Sequence, residues 1–156
     1  MKILIAAVGR LRDGPEAALT ADYLQRAALA GRQLGFRSID LIEVEGKPGG
    51  DTRAEGSALY RATPDGARKI LLDERGAEWA SRQFAEKLAR WRDDGLPCAV
   101  FWIGGADGVS QSVKDNADEK LAFGRQTWPH RLVRVMICEQ IYRAVTILSG
   151  NPYHRD

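Results

Sequence analysis

The stretch CAVFWIGGADGVS, residues 98–110, decides the fold. Its first six residues are apolar and predict a strand, and the glycine-rich segment at 104–108 ends that strand. Outward from this stretch, in both directions, short apolar runs alternate with segments of helical periodicity. This alternation predicts an α/β fold, with a mainly parallel sheet of about five strands and helices on both faces.

The spacing of apolar residues predicts the individual elements. Strands are predicted at 2–8, 37–45, 69–73, 98–103 and 121–123. Helices are predicted at 15–34, 52–61, 81–93, 110–116 and 131–148, with Ser81 capping the third of them. The glycines and proline at 46–50 predict a loop.

The composition is that of a globular protein with its own core. At 156 residues, 44% hydrophobic and 28% charged, the chain predicts a single domain, 1–156. No apolar run approaches the roughly 20 residues that cross a bilayer, and the first one lacks a signal-peptide cleavage site. We therefore expect a cytoplasmic protein with no membrane partner. Cys98 and Cys138 have no neighbouring ligands at metal spacing, which predicts buried thiols and no metal site.

Ligand sites of parallel sheets lie at the carboxyl ends of the strands. Here those ends carry glycine, at Gly9, Gly76, Gly104, Gly105 and Gly124. The segment at 104–108 matches neither the dinucleotide fingerprint nor the Walker A loop. Its residue types fit a turn with positive φ as well as a ligand loop. In either case glycine lets a flat group, such as a nucleoside, approach the backbone, and we expect the site along this edge.

The chain ends in NPYHRD, residues 151–156. Tyr153, His154 and Arg155 offer a stacking ring, an imidazole and a guanidinium, which together can hold a nucleotide. A frayed terminus of accidental composition fits the same residue types. His130, at the start of the last predicted helix, is expected to be structural. No G-x-S-x-G motif accompanies the histidines, so a hydrolase is not expected.

The last predicted helix is apolar around most of its circumference. Such a helix needs cover on nearly every side, so it is either central or shared with a second subunit. We expect a homodimer. Arg134, Glu139 and Arg143 on this helix need partners, because an unpaired buried charge is costly.

Five motifs occur in order along the chain: LLDERG at 71–76, SRQFAEKL at 81–88, FWIGGADGVS at 101–110, TWPHRLVRVMICEQIYRA at 127–144 and NPYHRD at 151–156. Together they resemble the ribosomal RNA large subunit methyltransferase H family of the SPOUT superfamily. The resemblance spans essentially the whole chain. It implies a C-terminal trefoil knot, a homodimer and S-adenosylmethionine bound in the knot. It also implies methylation of N3 of pseudouridine 1915 in 23S rRNA, within the assembled ribosome.

The resemblance also implies roles for individual residues. The cofactor-binding positions of the family match Leu72, Gly104, Gly105, Gly124, Arg125, Gln126, Thr127, Trp128 and Pro129. The tail residues Tyr153, His154 and Arg155 match the terminal motif near the target base and are the expected catalytic residues. The chain departs from the family at Ala106-Asp107, where Pro-Glu is common. It also departs at Trp128, where a small aliphatic residue is common, and at Asn151, where His is common.

Methyl transfer from a sulfonium needs alignment of the reactants and exclusion of water, and it needs no metal. The N3 proton must leave, and histidine is the side chain that titrates near neutral pH, which makes His154 the candidate base. Arg155 would hold a phosphate or negative charge on the base.

The small net charge limits how the chain can contact RNA. The formal net charge of +2, from 23 basic and 21 acidic residues, predicts that contact with RNA is local or shared between subunits. Free rRNA is therefore expected to be a poor substrate compared with ribosomes. Two alternatives stay open: a non-catalytic knotted protein that binds a nucleotide or the ribosome, and a SPOUT methyltransferase of another RNA. A measurement of S-adenosylmethionine affinity distinguishes the non-catalytic protein from an active methyltransferase, because the non-catalytic protein is expected to fail to bind the cofactor.

Overall fold

The computed structural model describes residues 1–46 and 49–155. Lys47 and Pro48 of the predicted loop, and Asp156 of the tail, lie outside the described residues. The strands are β1 (Lys2–Val8), β2 (Ser38–Val44), β3 (Arg68–Glu78), β4 (Cys98–Ile103) and β5 (Glu119–Ala122). The helices are α1 (Pro15–Gly31), α2 (Thr52–Arg61), α3 (Ser81–Asp93), α4 (Gln111–Asn116) and α5 (His130–Leu148). A short 3₁₀ turn, Arg32–Leu34, follows α1.

The five strands form one parallel sheet in the order β2-β1-β4-β3-β5. Strand β4 lies at the centre, with Lys2 opposite Cys98 on one side and Arg68 opposite Ala99 on the other. All six of its residues are buried. The α/β prediction of a parallel sheet with about five strands is confirmed.

Helices cover both faces of the sheet, as predicted. Phe101 of β4 belongs to a core that includes residues of α1, α3 and α5. The next residue, Trp102, belongs to a second core with Leu59 of α2 and Val113 of α4. Successive strand residues point to opposite faces, so a continuous apolar strand serves both cores. The indole nitrogen of Trp102 donates to the Thr63 hydroxyl at 2.9 Å, which satisfies its polar atom inside the second core.

Two local predictions are wrong. Strand β3 continues to Glu78 instead of ending at Asp73, because it pairs with β5 again at Ala77 after an irregularity. Gly76 makes the close approach possible: a Cβ there would lie 2.6 Å from the backbone carbon of Lys120. Ser81 does not cap α3. The capping position is Ala80, whose N–H donates to the Gln83 side chain at 3.0 Å, while the hydroxyl of Ser81 donates to Gln140 at 2.9 Å.

The last helix, α5, packs one side against α1 and α3. Ile137, Ile141 and Ala144 on that side are fully buried. Elsewhere on the helix, Leu132 is 40% exposed, so a single copy of the chain leaves part of the apolar circumference uncovered. The predicted charge partners exist: Arg134 pairs with Glu43, and Arg143 pairs with Glu139.

The described part of the chain contains no helix with the length and apolar character needed to cross a membrane. Within 1–46 and 49–155, no group of three or more His, Cys, Asp or Glu side chains is arranged to hold a metal ion. Cys98 and Cys138 are buried free thiols, as predicted, and burial raises the pKa of Cys138 to about 12.

Candidate functional site

A cavity of about 590 Å³ opens at the carboxyl edge of the sheet, between the ends of β3, β4 and β5 and the first turn of α5. This is the edge on which the sequence predicted a site. Eight of the nine predicted cofactor residues line it: Leu72, Gly104, Gly105, Gly124, Gln126, Thr127, Trp128 and Pro129. The ninth, Arg125, is exposed and does not line the cavity.

The glycines after β4 bring the backbone close to its surroundings. A Cβ at Gly104 would lie 2.7 Å from a methyl of Val109 and 2.9 Å from the carbonyl oxygen of Gly108. A Cβ at Gly105 would lie 3.1 Å from a methyl of Val8, at the end of β1. Gly108 closes the turn with φ +78° and donates its N–H to the Gly105 carbonyl at 3.1 Å. The segment is thus both a tight turn and a wall of the cavity.

The loop from 123 to 129 forms the opposite wall and is held by two side-chain hydrogen bonds. Its turn requires Gly124, whose φ is +94°. The indole N–H of Trp128 donates to the carbonyl of Phe123 at 3.1 Å. The Thr127 hydroxyl donates to the Glu74 carboxylate at 2.6 Å, which ties this loop to β3. Trp128 remains 38% exposed beside the cavity.

Four ionisable side chains outside the predicted cofactor residues also line the cavity: Asp73, Glu74, Lys114 and His130. Asp73 and Lys114 approach within 3.9 Å of each other from β3 and α4. They are 41 positions apart in the sequence, and no local pattern signals their proximity. His130, expected to be structural, lines the cavity as the first residue of α5. Burial lowers its pKa, and the positive charges of Arg134 and Arg131 lower it further.

Arg134 fixes the start of α5 to the ends of β1 and β2. Its side chain is 1% exposed. One terminal nitrogen, Nη1, donates to the Glu43 carboxylate at 2.6 Å, and the other, Nη2, donates to the carbonyls of Val8 at 3.2 Å and Gly9 at 3.0 Å. A buried guanidinium needs this many acceptors to offset its desolvation. The first turn of α5, which carries His130, is therefore anchored to two strand ends.

Two of the three predicted catalytic residues of the tail, Tyr153 and His154, contact a later part of α5. Tyr153 donates its hydroxyl to Glu139 at 3.1 Å and packs edge-on against Tyr142, with ring centroids 4.7 Å apart. The Arg143 guanidinium lies 5.0 Å from the Tyr153 ring and 3.3 Å from Nδ1 of His154. Burial raises the pKa of Tyr153 far above its ordinary value, with hydrogen bonding and the Glu139 charge adding to the effect. Tyr153 therefore stays protonated at neutral pH.

The tail and the cavity are separated along α5 within one copy of the chain. The tail contacts Glu139, Tyr142 and Arg143, whereas the cavity touches His130 and Val133. At 1.5 Å per residue, these two sets lie about 9 to 20 Å apart along the helix axis. Tyr153, His154 and Arg155 do not line the cavity. A single copy thus brings eight of the nine predicted cofactor residues together at the cavity and holds Tyr153 and His154 at a different place along α5.

Two of the departures from the family pattern have local contacts. Asp107 accepts a hydrogen bond from the N–H of Gly49 at 2.9 Å, which links the turn after β4 to the segment after β2. Asn151 accepts one from the N–H of Tyr153 at 3.1 Å and so shapes the turn that folds the tail back. Both side chains therefore stabilise the backbone next to predicted site residues.

Comparisons with known proteins identify the family. A family model described as "Predicted SPOUT methyltransferase" matches residues 1–154. A Paracoccus denitrificans protein is 57% identical over 156 residues, covering 100% of both chains. Proteins of Cereibacter sphaeroides and Hyphomonas neptunium are 54% and 53% identical over 155 residues, covering 99% of each chain. All three relatives carry the name ribosomal RNA large subunit methyltransferase H. With its motifs, its parallel sheet and this extent of similarity, the chain belongs to the ribosomal RNA large subunit methyltransferase H family of SPOUT methyltransferases.

Proposed function

We propose that this chain is an S-adenosylmethionine-dependent rRNA methyltransferase that modifies N3 of a pseudouridine in 23S rRNA, the 1915 position of the family, within the assembled ribosome. One observation carries the proposal. The residues that match the family's cofactor positions come from three separate strand ends, and eight of nine line one cavity. The names of the relatives support rRNA as the substrate class.

The cavity fits the proposed cofactor in size and chemistry. Its volume of about 590 Å³ is within the usual range for small-molecule sites. Ile103, Leu121 and Phe123 supply apolar surface for the adenine, and Gly104 leaves the backbone accessible. Asp73 and Lys114 offer charges of both signs to the ribose hydroxyls and the zwitterionic amino-acid end. These residues would hold the cofactor.

The bound cofactor supplies an electrophilic methyl group on a sulfonium. The chain's own residues orient the reactants and exclude water, since an in-line displacement depends on alignment. The loop from 123 to 129, fixed through Trp128 and Thr127, closes one wall of the cavity. Because its pKa is lowered, His130 would stay neutral near pH 7 and would add no positive charge to a cavity that holds a cationic cofactor.

The tail supplies the groups for the target base. His154 accepts the N3 proton, Arg155 holds a phosphate or negative charge on the base, and Tyr153 stacks or packs as a neutral phenol. The Arg143 side chain, paired with Glu139, orients both Tyr153 and His154. Near-normal turnover of the His154→Ala variant would remove His154 from proton transfer.

The separation of tail and cavity supports a homodimer in which the tail of one copy completes the cavity of the other. The apolar surface that one copy leaves uncovered includes Leu132 and Trp128, next to the cavity. A second hollow of about 340 Å³, lined by Trp79, Met136 and Gln140 among others, adjoins the same loop and the same helix. A second copy packed here would give α5 the cover that its composition requires.

The remaining expectations belong to this proposal. The chain acts as one domain, 1–156, in the cytoplasm, without a metal. The C-terminal part of the chain forms the trefoil knot, and the cofactor binds in that knot. Backbone threading of this kind would keep the loops at 104–108 and 123–129 in a fixed relative position.

The test is methyl transfer from labelled S-adenosylmethionine to ribosomes that lack the modification, with mass-spectrometric mapping of the labelled nucleotide. Label on N3 of the 23S pseudouridine is expected, and isolated rRNA should be labelled much more slowly. Equal rates on both substrates would refute the ribosome requirement. Cofactor binding without label on 23S rRNA would favour a different RNA, and no cofactor binding would favour the non-catalytic alternative.

A further inference from the structure

The segment after β1, residues 9–14, lies beside the cavity although it does not line it. Strand β1 is the direct neighbour of β4, whose end carries Gly104 and Gly105. The two strand ends are in close proximity, since a Cβ at Gly105 would lie 3.1 Å from a methyl of Val8. Residues 9–14 thus leave the sheet at the same edge as the cavity, one strand away from its wall.

This short segment is anchored by an ion pair between the buried Arg134 and the solvent-accessible Glu43. The N–H of Leu11 donates to the Glu43 carboxylate at 2.7 Å, the same oxygen that accepts from Arg134 at 2.6 Å. Arg134 also holds the Gly9 carbonyl at 3.0 Å. Burying an ion pair is weak evidence of a gain in stability, because desolvation offsets much of the attraction. The pair does fix the backbone of the segment relative to the cavity.

The anchored segment presents two arginines and one exposed carboxylate, Asp13. Arg10 and Arg12 are exposed, and in the described part of the chain their side chains make no hydrogen bond or ion pair. Arg125 and Arg131 are exposed and similarly unbonded among the described residues, on either side of the cavity-lining run at 126–130. We call these four residues, Arg10, Arg12, Arg125 and Arg131, the arginine rim.

The carboxylates that line the cavity or anchor its loops are occupied within the chain. Glu43 accepts from Leu11 and Arg134, and Asp107 accepts from the N–H of Gly49. Glu74 accepts from the Thr127 hydroxyl, and Asp73 accepts from the N–H of Arg75 at 2.9 Å. These acids stabilise loops, whereas the rim arginines keep their donors available. A guanidinium with available donors matches a phosphate in geometry and charge.

We propose that the arginine rim binds the phosphates of the RNA strand that carries the target base. This inference rests on the proposed function and names the part of the surface that holds its substrate. It also explains how a chain with a net charge of only +2 engages a polyanion, because the contact is concentrated at one edge. Phosphate contacts position the strand, and the cavity and tail select the base.

The test is the salt dependence of methyl transfer to unmodified ribosomes. The rim variants are the double variant Arg10→Gln, Arg12→Gln and the single variant Arg131→Gln. The matched control is the double variant Arg37→Gln, Arg90→Gln, which removes two exposed arginines outside the rim, just before β2 and near the end of α3. Arg10 and Arg12 touch neither the core nor the cavity. The cofactor affinity of the Arg10, Arg12 double variant, measured by calorimetry, should therefore stay within about twofold of that of the original sequence.

Each lost phosphate contact should reduce the slope of log kcat/KM against log salt concentration by about 0.7–0.9. For the Arg10, Arg12 double variant the reduction is about 1.5, so a fourfold rise in salt lowers kcat/KM about eightfold less than in the unmodified chain. The control should keep the unmodified slope. Equal kcat/KM values and equal salt slopes for the rim and control variants would refute the proposal that the arginine rim binds phosphates.

The two proposals can fail separately. If the unmodified chain transfers no methyl group to ribosomes, the proposed function fails. The rim is then judged by co-sedimentation of the protein with the same ribosomes at several salt concentrations. Weaker, less salt-dependent binding of the rim variants than of the control supports the rim, and identical binding of both refutes it.

Discussion

The charge pair between Glu43 and Arg134 offers the sharpest test of the energetics behind the site. The change is Glu43→Ala, compared with Arg134→Met, which keeps the length of the side chain and removes its charge. The two partners differ in burial: the Arg134 side chain is 1% exposed, and the Glu43 side chain is 26% exposed. Burial already lowers the pKa of Arg134, and the Glu43 charge opposes that shift.

The expected magnitudes follow from which charge is left behind. Glu43→Ala leaves a guanidinium in a site almost closed to water, which costs about 3–5 kcal/mol of unfolding free energy. Arg134→Met leaves a carboxylate that reaches solvent and still accepts from Leu11 at 2.7 Å. The Arg134→Met variant loses the charged hydrogen bonds to two carbonyls, which lowers the free energy of unfolding. It also no longer has to bury a guanidinium, which offsets part of that loss, so we expect a net loss of about 2–3 kcal/mol.

The assay is equilibrium unfolding in urea at one fixed protein concentration, because the proposed dimer would make apparent stability depend on concentration. Arg26→Ala serves as the control. Arg26 pairs with Asp22 at 3.0 Å on the exposed surface of α1, and its removal should not change stability measurably. A cost below about 1 kcal/mol for Glu43→Ala, or a larger cost for Arg134→Met than for Glu43→Ala, would refute the reasoning from burial.

Three further predictions concern the cavity. Gly104→Ala should weaken S-adenosylmethionine binding at least about tenfold in calorimetry, since the new Cβ would lie 2.7 Å from a Val109 methyl and push the cavity wall; unchanged affinity would contradict this. Trp128→Phe keeps an aromatic six-membered ring but removes the indole N–H and its hydrogen bond to the Phe123 carbonyl, which should weaken cofactor binding about fivefold, and equal affinity would show that this bond does not order the loop. Lowering the pH from 7 to 5 should reduce the free energy of unfolding. His130 becomes protonated below about pH 6.5 in the unfolded chain but only at a lower pH in the folded chain, where its pKa is lowered, so acid favours the unfolded state. His130→Asn should therefore show a smaller loss of unfolding free energy over that range, and an identical loss would remove His130 from the pH dependence.

Local patterns were sufficient for most of the elements. Strand β4 and helix α2 have the predicted bounds, because an apolar run closed by glycines and a short amphipathic segment are each complete in the sequence. The continuation of β3 past Asp73 was missed because the sequence DERG at 73–76 is typical of a loop. Its place in the strand depends on pairing with β5, more than 40 residues away.

Some parts of the candidate site could be predicted from local sequence, and others could not. The glycine segments and the loop at 124–129 could be selected from the sequence, since strand ends of a parallel sheet share one edge. The pairing of Asp73 with Lys114 and the place of His130 in the cavity could not, because neither follows from neighbouring residues. The burial of Arg134 was foreseen only as a need for partners, and its acceptors Glu43, Val8 and Gly9 are more than 90 positions away in the chain.

By itself, then, the sequence determined the alternation of strands and helices, the family, and the edge of the sheet where the cavity opens. These properties depend on periodicity and on short motifs, which are local. The strand order β2-β1-β4-β3-β5, the cavity between three strand ends, and the docking of Tyr153 on Glu139 were decided by the tertiary structure. The physical reason is that each depends on contacts between distant segments, whose free energy is set by burial and complementary charge in the folded chain.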